Sequence, residues 1–182
     1  MGSPKGRSAR RKGGGADTGT AEAEEFVIYA LPVARGILAI APMPGRGGHY
    51  DEDVAHMMDW KPALVISMVT EVELVAWGAA RLGSDLLYSG TRWHHVPCPD
   101  RGVPGPEQDA AWNEASARAC AALRGGGRVL IHCVGGCGRS GMAALRLMVA
   151  CGEKPADALL RLRELRPCAI ETTAQYEWAR HR

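Results

Sequence analysis

The sequence predicts one α/β domain with a central, mostly parallel sheet flanked by helices. Two observations predict it: short apolar runs alternate with stretches of helical periodicity, and helices separate the later strands, as parallel neighbours require. Strands are expected at 26–31, 36–41, 63–68, 92–96 and 128–133. Helices are expected at 51–58, 71–82, 107–123, 141–151, 155–165 and 173–182.

Local signals justify these elements in chain order. The first two strands are predicted to form a hairpin interrupted at Pro32. The run 128–133 is expected to be the most buried strand, and Pro155 fits the first turn of a helix. Because ligands bind at the carboxyl ends of parallel strands, the residues that follow the last two strands are expected to line the same binding site.

The first 25 residues differ in composition from the rest of the chain. They are rich in Gly, Ser, Arg, Lys, Ala, Thr and Glu and hold no large aliphatic residue after Met1. We therefore expect a disordered tail at 1–25 and one domain at 26–182. The basic cluster between Lys5 and Lys12 is interpreted as solvated tail, and a formal net charge of +2 gives no reason to expect a nucleic-acid partner.

Hydropathy and cysteine usage indicate the compartment. No apolar stretch approaches the roughly 20 residues that span a bilayer, so no membrane partner is expected and the chain is predicted to be a cytoplasmic monomer. The six cysteines follow no disulfide-framework spacing, so their thiols are expected to stay reduced.

The run HCVGGCGRS at residues 132–140 carries the chemistry. It joins the last predicted strand to a helix start, where unpaired backbone N–H groups and the helix dipole attract anions. Its glycines allow successive amides to converge on one point. We call residues 133–139 the phosphate loop, and the residues expected to bind phosphate are Val134, Gly135, Gly136, Cys137, Gly138 and Arg139.

Four residues of this run have chemistry that suits phosphate transfer. Cys133 lies beside a helix N-terminus and a guanidinium, both of which favour a nucleophilic thiolate. Arg139 can offer a planar fork of donors to two phosphoryl oxygens. Ser140 is placed to hydrogen-bond the sulfur and ease its departure, and His132 is expected to orient the loop rather than act as the base.

A thiolate mechanism also needs an acid for the leaving oxygen and then a base for water. Asp100 is the candidate, because it lies on a proline-stiffened loop directly after a predicted strand. Glu71 and Glu73 also follow a strand end, where they could line the rim of the pocket, but a solvated helix start is the favoured interpretation.

These residues resemble the cysteine-dependent protein tyrosine and dual-specificity phosphatase superfamily, whose signature His-Cys-x5-Arg-Ser/Thr is matched by residues 132–140. The GGCGRS run and the PCPDRGVP segment resemble the kinase-associated, cyclin-dependent-kinase-inhibitor-like phosphatases and their compact bacterial relatives. The resemblance implies a protein tyrosine phosphatase-like fold over 26–182. It also implies that Cys133 is the nucleophile, Arg139 the phosphate clamp, Asp100 the general acid and Ser140 the assistant.

The resemblance extends to residues 169–175, where related phosphatases carry a water-positioning glutamine, and so implies a supporting role for Gln175. Cys137 departs from the pattern, because relatives often have an apolar residue there. Two interpretations stay open: a small side chain packed under the loop, or a thiol that traps an oxidised Cys133 as a disulfide.

The leading function is hydrolysis of phosphotyrosine, with phosphoserine and phosphothreonine as further substrates, through a cysteinyl-phosphate intermediate. The expected partner is therefore a phosphoprotein substrate. No cofactor or metal is expected, since Cys133, Cys137 and the adjacent His132 have no second ligand cluster.

Three other functions remain. A phosphoinositide or small phosphate ester phosphatase is disfavoured by the absence of lysine from the loop. Sulfur transfer or arsenate reduction is disfavoured by an acid that precedes the cysteine in the chain. A catalytically silent phosphoprotein-binding module is disfavoured because cysteine, arginine and acid are all retained.

Overall fold

The computed structural model describes residues 25–181. Its sheet has five strands in the order β1-β2-β5-β3-β4. The strands are β1 (Tyr29–Val33), β2 (Gly36–Ala41), β3 (Leu64–Ser67), β4 (Arg92–His95) and β5 (Arg128–His132). The helices are α1 (Tyr50–Asp59), α2 (Glu71–Ala76), α3 (Leu82–Tyr88), α4 (Asp109–Arg124), α5 (Gly138–Ala150), α6 (Pro155–Leu165) and α7 (Thr173–Ala179), and a 3₁₀ turn at Pro106–Gln108 precedes α4.

The sheet is mixed but mostly parallel, which confirms the predicted fold class. Only β1 runs antiparallel, as the first half of a hairpin with β2. The remaining neighbours, β2 with β5, β5 with β3 and β3 with β4, are all parallel. The carboxyl ends of β3, β4 and β5 therefore lie at one edge, where the segments holding Glu73, Asp100 and Cys133 begin.

Strand β5 is the centre of the core. It lies between β2 and β3, and Val129, Leu130 and Ile131 are fully buried. Helices α4 and α5 both pack on this part of the sheet and on each other. Such burial leaves little room for β5 to shift, so the loop that follows it starts from a fixed point.

The helix predicted at 71–82 is wrong, because the chain breaks there into α2 and α3. The break lies at Gly78, which has a φ of +71° and directly follows Trp77, the C-cap of α2. Glycine adopts this left-handed backbone without the penalty that a Cβ brings. A second difference is the start of α5 at Gly138 rather than at 141, which places Arg139 and Ser140 in its first turn.

The sequence predicts an interruption at Pro32, but the structure shows none there. Pro32 lies within β1 (Tyr29–Val33), which among residues 25–181 is paired with β2 alone. A proline is tolerated on an edge strand because its missing N–H can face away from the sheet.

The prediction for the N-terminal tail falls on residues that the structure does not describe. The predicted tail, apart from Glu25, lies outside the described residues, as does Arg182.

The expectation of reduced cysteines throughout is wrong, because Cys137 and Cys168 form a disulfide. Spacing along the chain could not reveal this pair, since a fold and not a motif brings the two residues together. Within residues 25–181, no helix is both long and apolar enough to cross a membrane.

Candidate active site

Cys133 is the first residue after β5 and is almost fully buried. Its Sγ lies 3.3 Å from the hydroxyl oxygen of Ser140, which is buried in the first turn of α5. The sulfur therefore sits beside the N-terminal end of a 13-residue helix, where the dipole favours negative charge. A hydroxyl at this distance can donate to a thiolate.

The phosphate loop is shaped by donors that hold its carbonyl groups from outside. The backbone N–H of Met43 donates to the Val134 carbonyl (3.1 Å), and the guanidinium of Arg166 donates to the carbonyls of Gly135 and Gly136 (both 3.2 Å). In a trans peptide the next residue's N–H points opposite to the carbonyl. The three amides that follow are therefore turned toward the inside of the loop, which builds an anion-binding concavity.

Gly136 is required for this curvature. Its φ is +64°, and a Cβ built there would lie 2.6 Å from backbone atoms of Ala41 and Pro42. Both the backbone conformation and the space exclude a larger residue. The loop thus presses its glycine backbone directly against the end of β2.

The Arg139 side chain is only 3% exposed and has hydrogen-bonding partners on several sides. Its Nη1 and Nη2 donate to the two carboxylate oxygens of Glu73 at 2.8 and 2.9 Å. Nη1 also donates to the Cys98 carbonyl (2.9 Å), and Nη2 lies 3.2 Å from Asp100 Oδ1. Such a forked contact fixes both the position and the plane of the guanidinium.

Glu73 corrects the favoured sequence interpretation of a solvated helix start. It lies in the first turn of α2 but faces Arg139, so the alternative that placed it near the pocket is the better one. Thr70 and Glu73 form a capping box, in which the Thr70 backbone N–H donates to the Glu73 carboxylate (2.8 Å). The sequence Thr-x-x-Glu at 70–73 was the available signal, but it could not show that the same carboxylate would reach a loop 66 residues away.

Burial and hydrogen bonding shift the pKa of Glu73 in opposite directions. Burial by itself would raise its pKa, but the hydrogen bonds from Arg139 and Thr70 outweigh it and hold the pKa of Glu73 below its usual value. The carboxylate therefore remains charged at neutral pH and compensates the buried guanidinium.

Asp100 lies on an exposed turn above this pair. The turn is closed by the Gly102 N–H donating to the Pro99 carbonyl (3.0 Å), and the Asp100 side chain is 71% exposed. Gln175, fully buried, donates through Nε2 to the Gly102 carbonyl (3.4 Å) and accepts from the Glu171 N–H (2.8 Å). Gln175 therefore lies behind the Asp100 turn and beside Gly138 of the phosphate loop.

His132 points away from the phosphate loop into the sheet. Its Nε2 lies 2.5 Å from the Ser67 hydroxyl, which also accepts a hydrogen bond from the Trp93 indole N–H (2.8 Å). Complete burial lowers the pKa of His132 to about 4, so the ring is neutral at neutral pH. This contact positions the carboxyl end of β5 and gives His132 no access to a substrate.

Cys133, Arg139 and Asp100 line one open cavity of about 320 Å³, together with Arg46, Arg166 and Glu171. A second cavity of about 220 Å³ adjoins it and shares Arg46, Gly135 and Arg166 with the first. Arg46 and Arg166 are residues that the sequence interpretation did not single out. Among residues 25–181 no cluster of His, Cys, Asp and Glu suited to a metal ion is found.

Cys137 also lines the larger cavity, but its sulfur is bonded to Cys168 in the segment between α6 and α7. Neither interpretation offered from the sequence included this bond. The side chain is not a free thiol packed under the loop, and in this state it has no thiol with which to trap Cys133.

Comparison with known proteins agrees with this geometry. A family model described as protein-tyrosine phosphatase matches residues 80–181, which include the Asp100 turn, the phosphate loop and α7. The chain belongs to the protein-tyrosine phosphatase family and is a cysteine-dependent phosphatase.

The similar proteins include members with distinct names. Cyclin-dependent kinase inhibitor 3 of Mus musculus is 38% identical over 87 residues, which cover 47% of this chain and 40% of that protein. Tyrosine-protein phosphatase non-receptor type 18 of Homo sapiens is 34% identical over 99 residues, covering 48% of this chain and 21% of that protein. The match thus spans less than half the length of either relative.

A solved structure matches over more of the chain. It is that of kinase associated phosphatase with its catalytic-site cysteine replaced by serine, and it superposes with a TM-score of 0.74 at 25% identity. The match covers 85% of this chain and 92% of the other.

Proposed function

We propose that this protein hydrolyses phosphotyrosine, and also phosphoserine and phosphothreonine, in phosphoprotein substrates through a cysteinyl-phosphate intermediate. The observation that carries the proposal is the meeting of Cys133, Arg139 and Asp100 in one cavity, above a loop whose carbonyls are held outward. A thiolate, a phosphate clamp and an acid are the groups that this reaction requires.

Substrate binding exchanges one anion for another at Arg139. The substrate phosphate takes the inward amides and the Arg139 donor that lies 3.2 Å from Asp100 in the free protein. Glu73 keeps its forked contact meanwhile, so the guanidinium does not swing. Asp100 is thereby released from Arg139 and is available to the leaving group.

In the first step the Cys133 thiolate attacks phosphorus, so an S–P bond forms as the ester P–O bond breaks. Asp100 in its acid form gives its proton to the departing oxygen. The amides and Arg139 stabilise the charge on the three equatorial oxygens.

In the second step water attacks the same phosphorus from the side that the alcohol has left. Asp100 takes a proton from this water, and Gln175, which is buried behind the Asp100 turn, helps to order the turn through the Gly102 carbonyl. The S–P bond breaks, and the Ser140 hydroxyl donates to the regenerated thiolate 3.3 Å away.

The test is a panel of phosphotyrosine, phosphothreonine and phosphoserine peptides hydrolysed without added metal under conditions that keep Cys133 reduced. Cys133→Ser should abolish turnover, and Asp100→Ala should slow peptide hydrolysis by about a hundred-fold to ten-thousand-fold, as loss of a general acid does. Unchanged peptide hydrolysis in Asp100→Ala would remove Asp100 from the mechanism. A folded wild type that binds the peptides without turning them over would instead support the silent binding module.

A second substrate class is favoured by one feature, the arginine pair at the junction of the two cavities. Arg46 and Arg166 both line the catalytic cavity and the adjoining one, so guanidinium donors for a further phosphate lie where the two cavities join. A phosphoinositide presents such a second phosphate. Soluble phosphoinositides with one and with two ring phosphates should be assayed beside the peptides. A kcat/KM that is higher for them than for every peptide would favour this class.

We place the enzyme and its phosphoprotein partner in the cytoplasm, which a reduced Cys133 favours. Fractionation of cells that express the full chain tests this placement. Recovery in a membrane or secreted fraction would contradict it.

A further inference from the structure

The Cys137–Cys168 disulfide joins two segments that meet at the active site. Cys137 is the residue of the phosphate loop that immediately precedes α5, and Cys168 lies in the segment 166–175, which we call the brace segment. Their Cα atoms are 5.3 Å apart, which is an ordinary separation for a disulfide. The nucleophile Cys133 takes no part in this bond and remains a thiol.

The brace segment also holds the active site through hydrogen bonds. Arg166 turns the carbonyls of Gly135 and Gly136 outward. Thr172 donates to the Arg101 carbonyl, and Gln175 donates to the Gly102 carbonyl (both 3.4 Å). One segment thus contacts both the phosphate loop and the Asp100 turn, and the disulfide is the covalent member of this set of contacts.

The position of the bond suits reversible reduction. Cys168 is exposed, so a reductant thiolate can reach its sulfur, whereas Cys137 is only partly accessible. Attack on the Cys168 sulfur expels the Cys137 thiolate at the N-terminal end of α5, where the helix dipole stabilises it as a leaving group.

We infer that the Cys137–Cys168 disulfide is a redox control of the phosphate loop: the bonded form holds the loop in its competent geometry, and reduction lowers turnover without touching Cys133. The inference rests on the proposed function. In the reduction the S–S bond breaks, two thiols form, and the two electrons come from a dithiol reductant that becomes a disulfide.

The direction of the effect follows from what reduction releases. Without the bond, the brace segment is attached to the phosphate loop by two hydrogen bonds from Arg166, each 3.2 Å long, and by the non-covalent contacts of Glu171 and Gln175 with Gly138. Displacement of a catalytic group by the order of 1 Å can cost about a hundred-fold in rate, so we expect reduction to lower kcat/KM by about ten-fold or more. Reduction also frees the Cys137 thiol beside the nucleophile.

The experiment uses the full chain carrying Cys120→Ala and Cys151→Ala. Those two sulfurs lie 3.8 Å apart and would otherwise respond to the same redox buffers. The protein is equilibrated in a graded series of dithiol and disulfide buffers. At each point kcat and KM are measured with p-nitrophenyl phosphate, while peptide mapping after alkylation reports the Cys137–Cys168 bond and the Cys133 thiol separately.

We expect kcat/KM to fall in the same buffer range in which the bond is lost, while Cys133 stays a thiol throughout. Cys168→Ala in this background should have the low kcat/KM of the reduced form in every buffer that keeps Cys133 reduced. Equal kcat/KM in the bonded and reduced forms would overturn the inference. So would mapping that finds no Cys137–Cys168 bond in any buffer that spares Cys133.

Oxyanion binding separates this inference from the proposed function. Cys133→Ser keeps the phosphate loop but not the nucleophile, and its affinity for tungstate can be measured by titration calorimetry in both redox states. We expect affinity to fall by about ten-fold on reduction, in line with the loss expected for turnover. If no phosphate ester is turned over in either state, the proposed function fails. An unchanged tungstate affinity would in that case overturn the redox control as well.

Discussion

Arg139 lies between the carboxylates of Glu73 and Asp100, which have different roles. Glu73 is part of a capping box and holds the guanidinium with two hydrogen bonds below 3 Å, whereas Asp100 touches it from an exposed turn at 3.2 Å. The first contact is rigid because both partners are in first turns of helices. The second can be exchanged for a phosphate oxygen, because its turn is in solvent.

Glu73→Gln tests the rigid contact. The substitution keeps the shape but removes the charge that compensates the buried Arg139, so the guanidinium is held less firmly. We expect kcat/KM for a phosphotyrosine peptide to fall by about ten-fold or more and tungstate inhibition to weaken in parallel. Glu71→Gln is the matched control, since Glu71 is exposed on the same turn of α2. Equal kinetics in the two variants would contradict the role of Glu73.

His132 makes stability depend on pH in a defined window. Burial lowers its folded-state pKa to about 4, and the unfolded chain has the ordinary value near 6.5, so the unfolded state binds more protons between these values. Stability should therefore be complete near pH 7 and be lost as the pH falls toward 4. From pH 7 to 4.5 this histidine alone should cost about 2 to 3 kcal/mol.

Urea unfolding of the wild type and His132→Gln at these two pH values measures that cost. Glutamine retains an acceptor for the Ser67 hydroxyl but does not titrate, so the variant should lose less stability on acidification than the wild type. His49→Gln, at an exposed position, should behave as the wild type does. The same acid sensitivity in His132→Gln would show that His132 is not the source.

At the scale of elements, the site is made where strand ends meet helix starts. β5 delivers Cys133 to the first turn of α5, and β3 leads through Thr70 to the first turn of α2. The segment between α6 and α7 then supplies Arg166, which donates to two carbonyls of the phosphate loop. Three elements that are distant in sequence thus fix one concave loop.

Arg166→Gln tests the contribution of this segment. Without the guanidinium the carbonyls of Gly135 and Gly136 lose their outward donors, so the amides that follow should no longer converge on one point. We expect a fall of about ten-fold or more in kcat/KM and in tungstate affinity. Arg161→Gln is the control, because Arg161 lies on α6 but contacts Glu153 and Pro32 instead. A loss of equal size in both variants would indicate a general effect of α6.

At the scale of the whole molecule, the sequence predicted what is local or periodic. The α/β class, the buried strand predicted at 128–133 and found at Arg128–His132, and the strand-to-helix position of HCVGGCGRS all follow from patterns within short windows. The contacts of Glu73 and Arg166 with the phosphate loop depend on how α2 and α6 pack in three dimensions. No short stretch of sequence contains that information. The Cys137–Cys168 bond was missed for the same reason, and α2 and α3 were merged because Gly78 is compatible with either continuation or a break.

The architecture also separates the reacting groups from the groups that shape the site. Cys133, Arg139 and Asp100 face the cavity, whereas Met43 and Ser67 act from outside it on the loop backbone and on His132. Arg166 lines the cavity and also holds two carbonyls of the loop. Changes in the second set should alter affinity and rate together without changing the covalent chemistry.

The central claim is that phosphate passes through Cys133, and a rapid-quench experiment tests it most directly. A phosphotyrosine peptide is mixed with excess enzyme, quenched in acid within one turnover, and the protein is mapped for a phosphoryl group. The account predicts phosphate on Cys133 that appears and decays at rates consistent with kcat, and none in Cys133→Ser. Turnover that persists in Cys133→Ser, or phosphate found on another residue, would contradict it.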